Sequence, residues 1–293
     1  MFVRKFRIKT DIELLANAEE RAQAGNQDLA RYLIRLGVKA RTELIQDAWK
    51  MASSVEQAVL AKKSRIQILQ EKAADPENCV CNGGVWLVLA LDLLEKNNIP
   101  HTLFAQRMYA AFDSGRQKHR NIMVTGTSNC GKTFLMEPIN AVFSNTFNTP
   151  ASSVFGWLGA EKAQVIYLND FRWVNPVSNP KVGIIMWDAF LRLLEGNTCK
   201  LPAPMNHCVK HITLEPEDDL PVFCTGLDEI HYWENNEQEP QTPKHNAENK
   251  MMRERWINPV FHLTHEFEEE DKVLCPPCGY CFSKLVLSGK PKE

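Results

Sequence analysis

The sequence predicts an α/β fold, a mostly parallel sheet flanked by helices and built around a glycine-rich loop, preceded by a small all-α domain. Three observations predict it. From Asp11 to Ala74 the chain is rich in Ala, Leu, Glu, Lys, Arg and Gln, with no proline and only Gly25 and Gly37 as glycines, as packed helices prefer. Beyond that point, short β-rich runs at Asn121 to Val124, Val165 to Leu168 and Val222 to Thr225 alternate with turns and helical segments, the pattern of a parallel sheet covered on both faces. The first of these runs feeds a glycine-rich turn that opens a helical segment, Phe134 to Phe143.

Taken in order, the first helical part ends at Asp75, Pro76, Glu77 and Asn78. Gly83 and Gly84 introduce a helix over Val85 to Lys96, stopped by Asn97, Asn98, Ile99 and Pro100, and the next helix runs from Thr102 to Phe112. Between the second and third β runs, Val182 to Glu195 reads as an amphipathic helix. The polar stretch Glu234 to Lys250 is expected to be an exposed loop, and a short tail follows Phe261. No internal repeat is present. The expected organisation is a helical domain over residues 1–98, a P-loop domain over 99–264 and a Cys-rich tail over 265–293.

With 293 residues, 44% of them apolar and 24% charged, the chain can bury one large core and a smaller one, and it is neither disordered nor collagen-like. A net charge of -2 carries no bulk basic signal, which argues against a simple DNA-coating protein; nucleic-acid contact has to come from local patches or from loops gathered by assembly. The longest apolar stretch, Gly84 to Leu94, is interrupted by Asp92 and falls far short of the roughly 20 residues of a membrane span, so no membrane insertion is expected. The basic N-terminus lacks the apolar region of a secretory signal. Nine cysteines, an odd number with one inside the glycine-rich loop, favour reduced thiols in the nucleus or cytoplasm over a secreted disulfide frame.

The strongest motif is Gly126, Thr127, Ser128, Asn129, Cys130, Gly131, Lys132 and Thr133, which fits the P-loop pattern GxxxxGK[ST] and follows the apolar run Ile122, Met123 and Val124. A strand feeding a glycine-rich turn and then a helix aims successive backbone N–H groups at phosphates. In that arrangement Lys132 reaches the β and γ phosphates of ATP and Thr133 binds Mg²⁺. The bland alternative is a chance glycine turn with a surface lysine, against which the strand and helix flanks both argue. A P-loop enzyme also needs a carboxylate at the end of a neighbouring strand to hold the metal and its water. Val165 to Asn169 and Asp170 supply one, with Asp170 as the Mg²⁺ carboxylate and Asn169 beside it.

The order of Asn98-Ile99-Pro100, a helix ending at Ala111 and Phe112, and Arg120 to Met123 ahead of the loop resembles the helicase domain of parvovirus replication proteins, members of superfamily 3. The resemblance covers about Val85 to Thr264 and extends to helicase-like proteins of parvovirus-related mobile elements in invertebrate genomes. It implies an AAA+-like P-loop ATPase that acts as a homo-oligomer, a hexameric ring, on single-stranded or forked DNA during replication. Ala189 to Gly196, then Lys200, Leu201 and Pro202, then Lys210 to Ile212, is similar to the family's helix and channel-lining hairpin. On that resemblance Lys200, His207, Lys210 and His211 are candidate DNA contacts; the alternative is ordinary solvated side chains. Arg253, Glu254, Arg255 and Trp256, followed by Val260 to Leu263, resemble the segment that presents an arginine finger to the neighbouring subunit, with Arg255 the better match. Its alternative partner is the acidic tail Glu266 to Asp271.

Two departures matter. The family carries two adjacent acidic residues where this chain has Asn169 and Asp170, and Leu227 stands where the family has a polar sensor, so Thr225 or Asp228 would have to polarise the attacking water. An oligomeric nucleotide- and DNA-binding protein with a slow or inactive ATPase is therefore the competing expectation. A small-molecule kinase is a third, and nothing in the sequence resembles its acceptor-binding lid. Parvovirus replication proteins also carry a nicking nuclease with a His-hydrophobe-His pair, and no such pair occurs among the eight histidines. In the tail, Cys275, Cys278 and Cys281 form two overlapping CxxC knuckles near His262 and His265, so Zn²⁺ held by these cysteines and His265 is an expectation, with reduced structural thiols the alternative. The ligand set stays open, since Cys79 or Cys81 can replace a histidine.

Overall fold

The computed structural model describes residues 2–60, 62–144, 146–148, 157, 159–173, 185–202, 215, 219–233, 242–267 and 275–291, which divide into two compact units, Met1–Ser64 and Arg65–Glu293.

The first unit is all-α. It comprises α1 (Phe2–Lys5), α2 (Asp11–Gln23), α3 (Asp28–Ile34) and α4 (Val38–Leu60). Helix α2 starts at a capping box in which Thr10 accepts from the Glu13 N–H and the Glu13 carboxylate returns to the Thr10 N–H, satisfying two donors the helix leaves unpaired. Val3, Ile8, Leu14, Ala18, Leu33, Ile45 and Ala48 close its core. Arg41 fastens the helices: its guanidinium meets both oxygens of Asp11 at 2.6 and 2.9 Å and donates to the Leu36 carbonyl.

The second unit begins with α5 (Arg65–Ala74), α6 (Val85–Lys96) and α7 (His101–Ser114). Strand β1 (Ile122–Gly126) is followed by α8 (Lys132–Met136), α9 (Pro138–Val142), β2 (Thr146–Asn148), β3 (Val165–Leu168), α10 (Trp187–Glu195), β4 (Val222–Gly226), α11 (Pro243–Arg253), β5 (Phe261–Leu263) and α12 (Gly279–Leu287). The five strands form one parallel sheet in the order β2-β3-β4-β1-β5. Because side chains alternate along a strand, the sheet serves two cores. Val124, Tyr167, Phe223 and Phe261 join helices α5 to α9 and α12 on one face; Met123, Ile166, Leu168 and Cys224 join α10 and Met252 on the other. Strand β4 lies between β1 and β3, so the ends of all three strands share one edge of the sheet.

The three β runs read from the sequence correspond to β1, β3 and β4. Four expectations change. The helical domain ends at Ser64 rather than at residue 98, because Leu69 of α5 and Trp86, Ala90 and Leu94 of α6 are buried in the sheet core. The segment 265–293 is no separate tail, since Phe282, Leu285 and Val286 of α12 belong to that same core. The helix expected over 134–143 is interrupted at Glu137 by Pro138, which has no N–H to donate. The polar stretch to Lys250 is not all loop: Thr242 caps α11 through the His245 N–H and Pro243 occupies its first turn, both readable helix-start signals. Residues 182–184 and 234–241 of those expectations lie outside the described residues.

Candidate nucleotide site

The loop between β1 and α8 has the backbone that close approach to a polyphosphate demands. Gly126 ends β1 at φ +148°, where a Cβ would lie 2.1 Å from the Leu263 carbonyl oxygen, so only glycine lets β5 pass. Asn129 and Gly131 are left-handed at φ 62° and 86°, on either side of Cys130, and such alternation of hand is the backbone pattern from which anion-binding nests are made. Thr127, Ser128 and Asn129 are exposed on the loop, whereas the Cys130 side chain is buried beneath it. Helix α8 opens directly at Lys132, with Thr133 exposed beside it. The Lys132 ammonium donates to the carbonyls of Gly126 and Thr127, both at 2.6 Å, and so stands across the mouth of the loop.

The wall behind the loop comes from distant sequence. The Phe267 N–H donates to the Asn129 carbonyl at 2.8 Å, and its ring packs on Phe134 with centroids 4.5 Å apart. The Asn97 side chain accepts from the N–H groups of Thr264 and His265, fastening the exit of β5. A cavity of about 360 Å³ beside the loop is lined by Asn129 to Phe134, Glu137, Cys275 and Pro277.

Asn169 and Asp170 follow β3, exposed, at the same sheet edge. Thr225, buried in β4, links them: its hydroxyl accepts from the Asp170 N–H at 2.8 Å and donates to the Asn169 side-chain oxygen at 2.9 Å. The Phe171 N–H adds a bond to the Thr225 carbonyl, and the Gly126 N–H reaches the Leu227 carbonyl at 3.3 Å. One hydrogen-bonded path thus runs from the P-loop through the end of β4 to Asp170, which is held left-handed at φ 49°. Burial pushes the Tyr167 phenol above its ordinary range, so it stays a neutral donor to the Asn169 oxygen at 3.2 Å. Asn169 is therefore engaged by two hydroxyls. Leu227 is half exposed and brings no polar side chain.

A viral helicase is similar in structure. The JC virus helicase matches with a TM-score of 0.48 and 13% identity, over 86% of this chain and 69% of that one. The C-terminal region (305–718) of NrS-1, in its apo form, matches with a TM-score of 0.34 and 10% identity, over 71% of this chain and 51% of that one. No protein-family model matches the sequence, and neither does any curated protein.

The remaining sequence candidates separate. Arg255 does not face outward as a finger would. It is 5% exposed, its Nε donates to the Leu191 carbonyl, its guanidinium also donates to the Met251 carbonyl, and it pairs with Glu195 at 2.7 Å. Asn121, buried ahead of β1, holds the same segment by donating to the Arg255 and Leu194 carbonyls. Arg253, two positions earlier at the end of α11, is the arginine at the surface: its side chain is 64% exposed and bonds Glu229 at 3.0 Å. It lines a cavity of about 430 Å³ with Thr125, Asp228, Lys250 and His262, and His262 Nδ1 lies 2.8 Å from the Thr125 hydroxyl. The sequence placed two arginines two positions apart; which one faces solvent depends on the turn after α11 and was not readable. Of the DNA candidates, Lys200 is exposed, while His207, Lys210 and His211 lie outside the described residues.

The expected zinc set also changes. Cys278 and Cys281 do meet other thiols, but the partners are Cys79 and Cys81 from the turn before α6, not Cys275 and His265. Cys275 stands just outside the foursome, where burial pushes its thiol up to about 12. His265, held through its backbone by Asn97, is not in the group because the exit of β5 turns toward the phosphate loop instead.

Proposed function

We propose that this chain is an ATP-dependent ring helicase or translocase of the kind that serves DNA replication in viruses and virus-derived mobile elements. The observation that carries the reading is the hydrogen-bonded path from the P-loop to Asp170 through Thr225. In it the loop amides and Lys132 hold the phosphates of ATP, and Thr133 with Asp170 holds Mg²⁺. The metal supplies charge neutralisation at the transferring phosphate. Asn169, its side chain held by the Thr225 hydroxyl, orients the attacking water, and Arg253 reaches the nucleotide of the adjacent subunit. The exposed apolar side chains Ile12, Ile34 and Val38 of the helical unit favour assembly, since contact between subunits removes them from water. Lys200, with His207, Lys210 and His211, contacts a single strand in the channel of a hexamer.

The second reading, binding without turnover, is favoured by Asn169, a neutral amide where catalysis profits from a base. ATP hydrolysis with and without single-stranded DNA, on wild type and Lys132→Ala, tests both. DNA-stimulated turnover lost in the variant supports the helicase. Nucleotide binding with turnover no higher than that of Lys132→Ala refutes it and leaves the binding protein.

A further inference from the structure

We infer that Cys79, Cys81, Cys278 and Cys281 form a mononuclear tetrahedral zinc site that clamps the C-terminal helix onto the body of the ATPase unit. The four sulfurs all lie within 4.8 Å of one another. The separations are 3.6 Å for Cys79 to Cys81, 3.5 Å for Cys81 to Cys281, and 3.9 Å from Cys79 to each of Cys278 and Cys281. A regular tetrahedron with Zn–S bonds of about 2.3 Å has edges of about 3.8 Å, so the thiols stand at the corners one ion requires. An iron–sulfur cluster interposes several atoms between its cysteines and would hold them farther apart. A disulfide leaves its two sulfurs about 2 Å apart, and none of these pairs is that close.

The backbone on either side of the site is shaped into two knuckles. Residues 82 to 84 are three consecutive left-handed positions, Asn82, Gly83 and Gly84, at φ 49°, 78° and 110°. They curl the chain after Cys81 into a tight knuckle, and the Trp86 N–H donates to the Cys81 sulfur at 3.4 Å. On the other side Cys278 is the N-cap of α12 and Cys281 lies in its first turn, at the positive end of the helix dipole. A Cβ on Gly279 would come within 3.1 Å of both the Ala141 carbonyl oxygen and Lys72 Cε, so the second knuckle packs closely against α9 and α5. Lys284 brings positive charge to a centre that, with four thiolates and one Zn²⁺, carries two net negative charges. On binding, each thiol releases one proton to solvent and the sulfur lone pair forms the metal bond; no oxidation occurs.

The site joins residues about 200 positions apart in sequence, and it sits behind the phosphate loop. Trp86, whose N–H bonds Cys81, packs on Phe134 of α8 and on Phe282 of α12. Its indole N–H donates to the Phe134 carbonyl at 3.2 Å. Cys275 and Pro277, just ahead of Cys278, line the cavity beside Asn129 to Thr133. Metal occupancy therefore keeps one wall of that cavity in place. The metal site itself stands whether or not the chain hydrolyses ATP.

The test is elemental analysis of the purified full chain, followed by exchange of the bound metal for Co²⁺. The expected result is about one zinc per chain, with a cobalt spectrum showing intense thiolate charge-transfer bands and the visible transitions of a tetrahedral ion. Cys278→Ser and Cys81→Ser should each lose the metal, while Cys275→Ser and Cys224→Ser keep it. Because a ligand variant can fail to fold, X-ray absorption on the wild-type protein is the second measurement, expected to find four sulfurs at about 2.3 Å. Wild-type chain free of metal, iron in place of zinc, nitrogen or oxygen in the coordination shell, or loss of metal from Cys275→Ser would each overturn the site as assigned.

Discussion

Replacing Arg255 by alanine decides whether this arginine is structural or reaches a neighbouring subunit. In the folded chain it is 5% exposed and donates to the Leu191 and Met251 carbonyls and to Glu195. The variant leaves two carbonyls without their donor and removes one partner of a largely buried ion pair, which typically costs about 3–5 kcal/mol. Glu195 keeps Lys118 at 3.1 Å, so its own charge is not stranded and the lower half of that range is the better expectation. With total stabilities of about 5–15 kcal/mol, a third of the folding free energy is then at stake. Urea unfolding followed by tryptophan fluorescence should show the midpoint falling by about 1–2 M. Arg253→Ala, at the exposed position, should leave the midpoint within about 0.5 M, because surface pairs are worth at most about 1 kcal/mol, and should instead lower turnover. An Arg255→Ala protein with wild-type unfolding and abolished hydrolysis would refute the inward-facing assignment.

Other outcomes follow from the same geometry. Thr225→Val keeps the shape of the side chain but removes both bonds to the Asn169-Asp170 turn; it should destabilise by about 1–2 kcal/mol and raise the Mg²⁺ concentration needed for half-maximal nucleotide binding, measured by titration calorimetry. Gly126→Ala puts a methyl group 2.1 Å from the Leu263 oxygen, so β5 must move; nucleotide binding should be lost and thermal unfolding should shift down markedly in calorimetry. Burial raises the Cys224 thiol above its ordinary value of 9.0, so its contribution to stability is complete below that pH and fades as pH rises through the folded value. Unfolding free energy should fall by up to about 1.4 kcal/mol per pH unit above the unfolded value. Cys224→Ala should flatten that slope in denaturant titrations, and an unchanged slope would assign it to other groups.

The parts of this protein legible in its sequence are those encoded by neighbours along the chain. The glycine-rich turn between β1 and α8 was readable because the P-loop pattern sets glycines, a lysine and a hydroxyl at fixed spacings, with a strand before and a helix after, and Gly126, Gly131, Lys132 and Thr133 carry that pattern locally. Strands β1, β3 and β4 were readable from short apolar runs, and so was the place of Asn169 and Asp170 directly after one of them. The start of α11 was also locally encoded, in Thr242 and Pro243, although the polar composition of the stretch masked it. The tertiary structure decided what depends on residues brought together from afar. Period and composition do not say which strand separates β1 from β3, so the bonds from Thr225 to Asn169 and Asp170 came only with the sheet order. The turn after α11 buries Arg255 and leaves Arg253, two positions earlier, exposed, a matter of packing against α10 that no spacing records. The cysteines at 79 and 81 join those at 278 and 281 because α12 packs beside α5, across about 200 residues of chain. Local rules act within a turn or two of backbone, whereas a site whose parts lie on separate elements exists only once the core between them has closed.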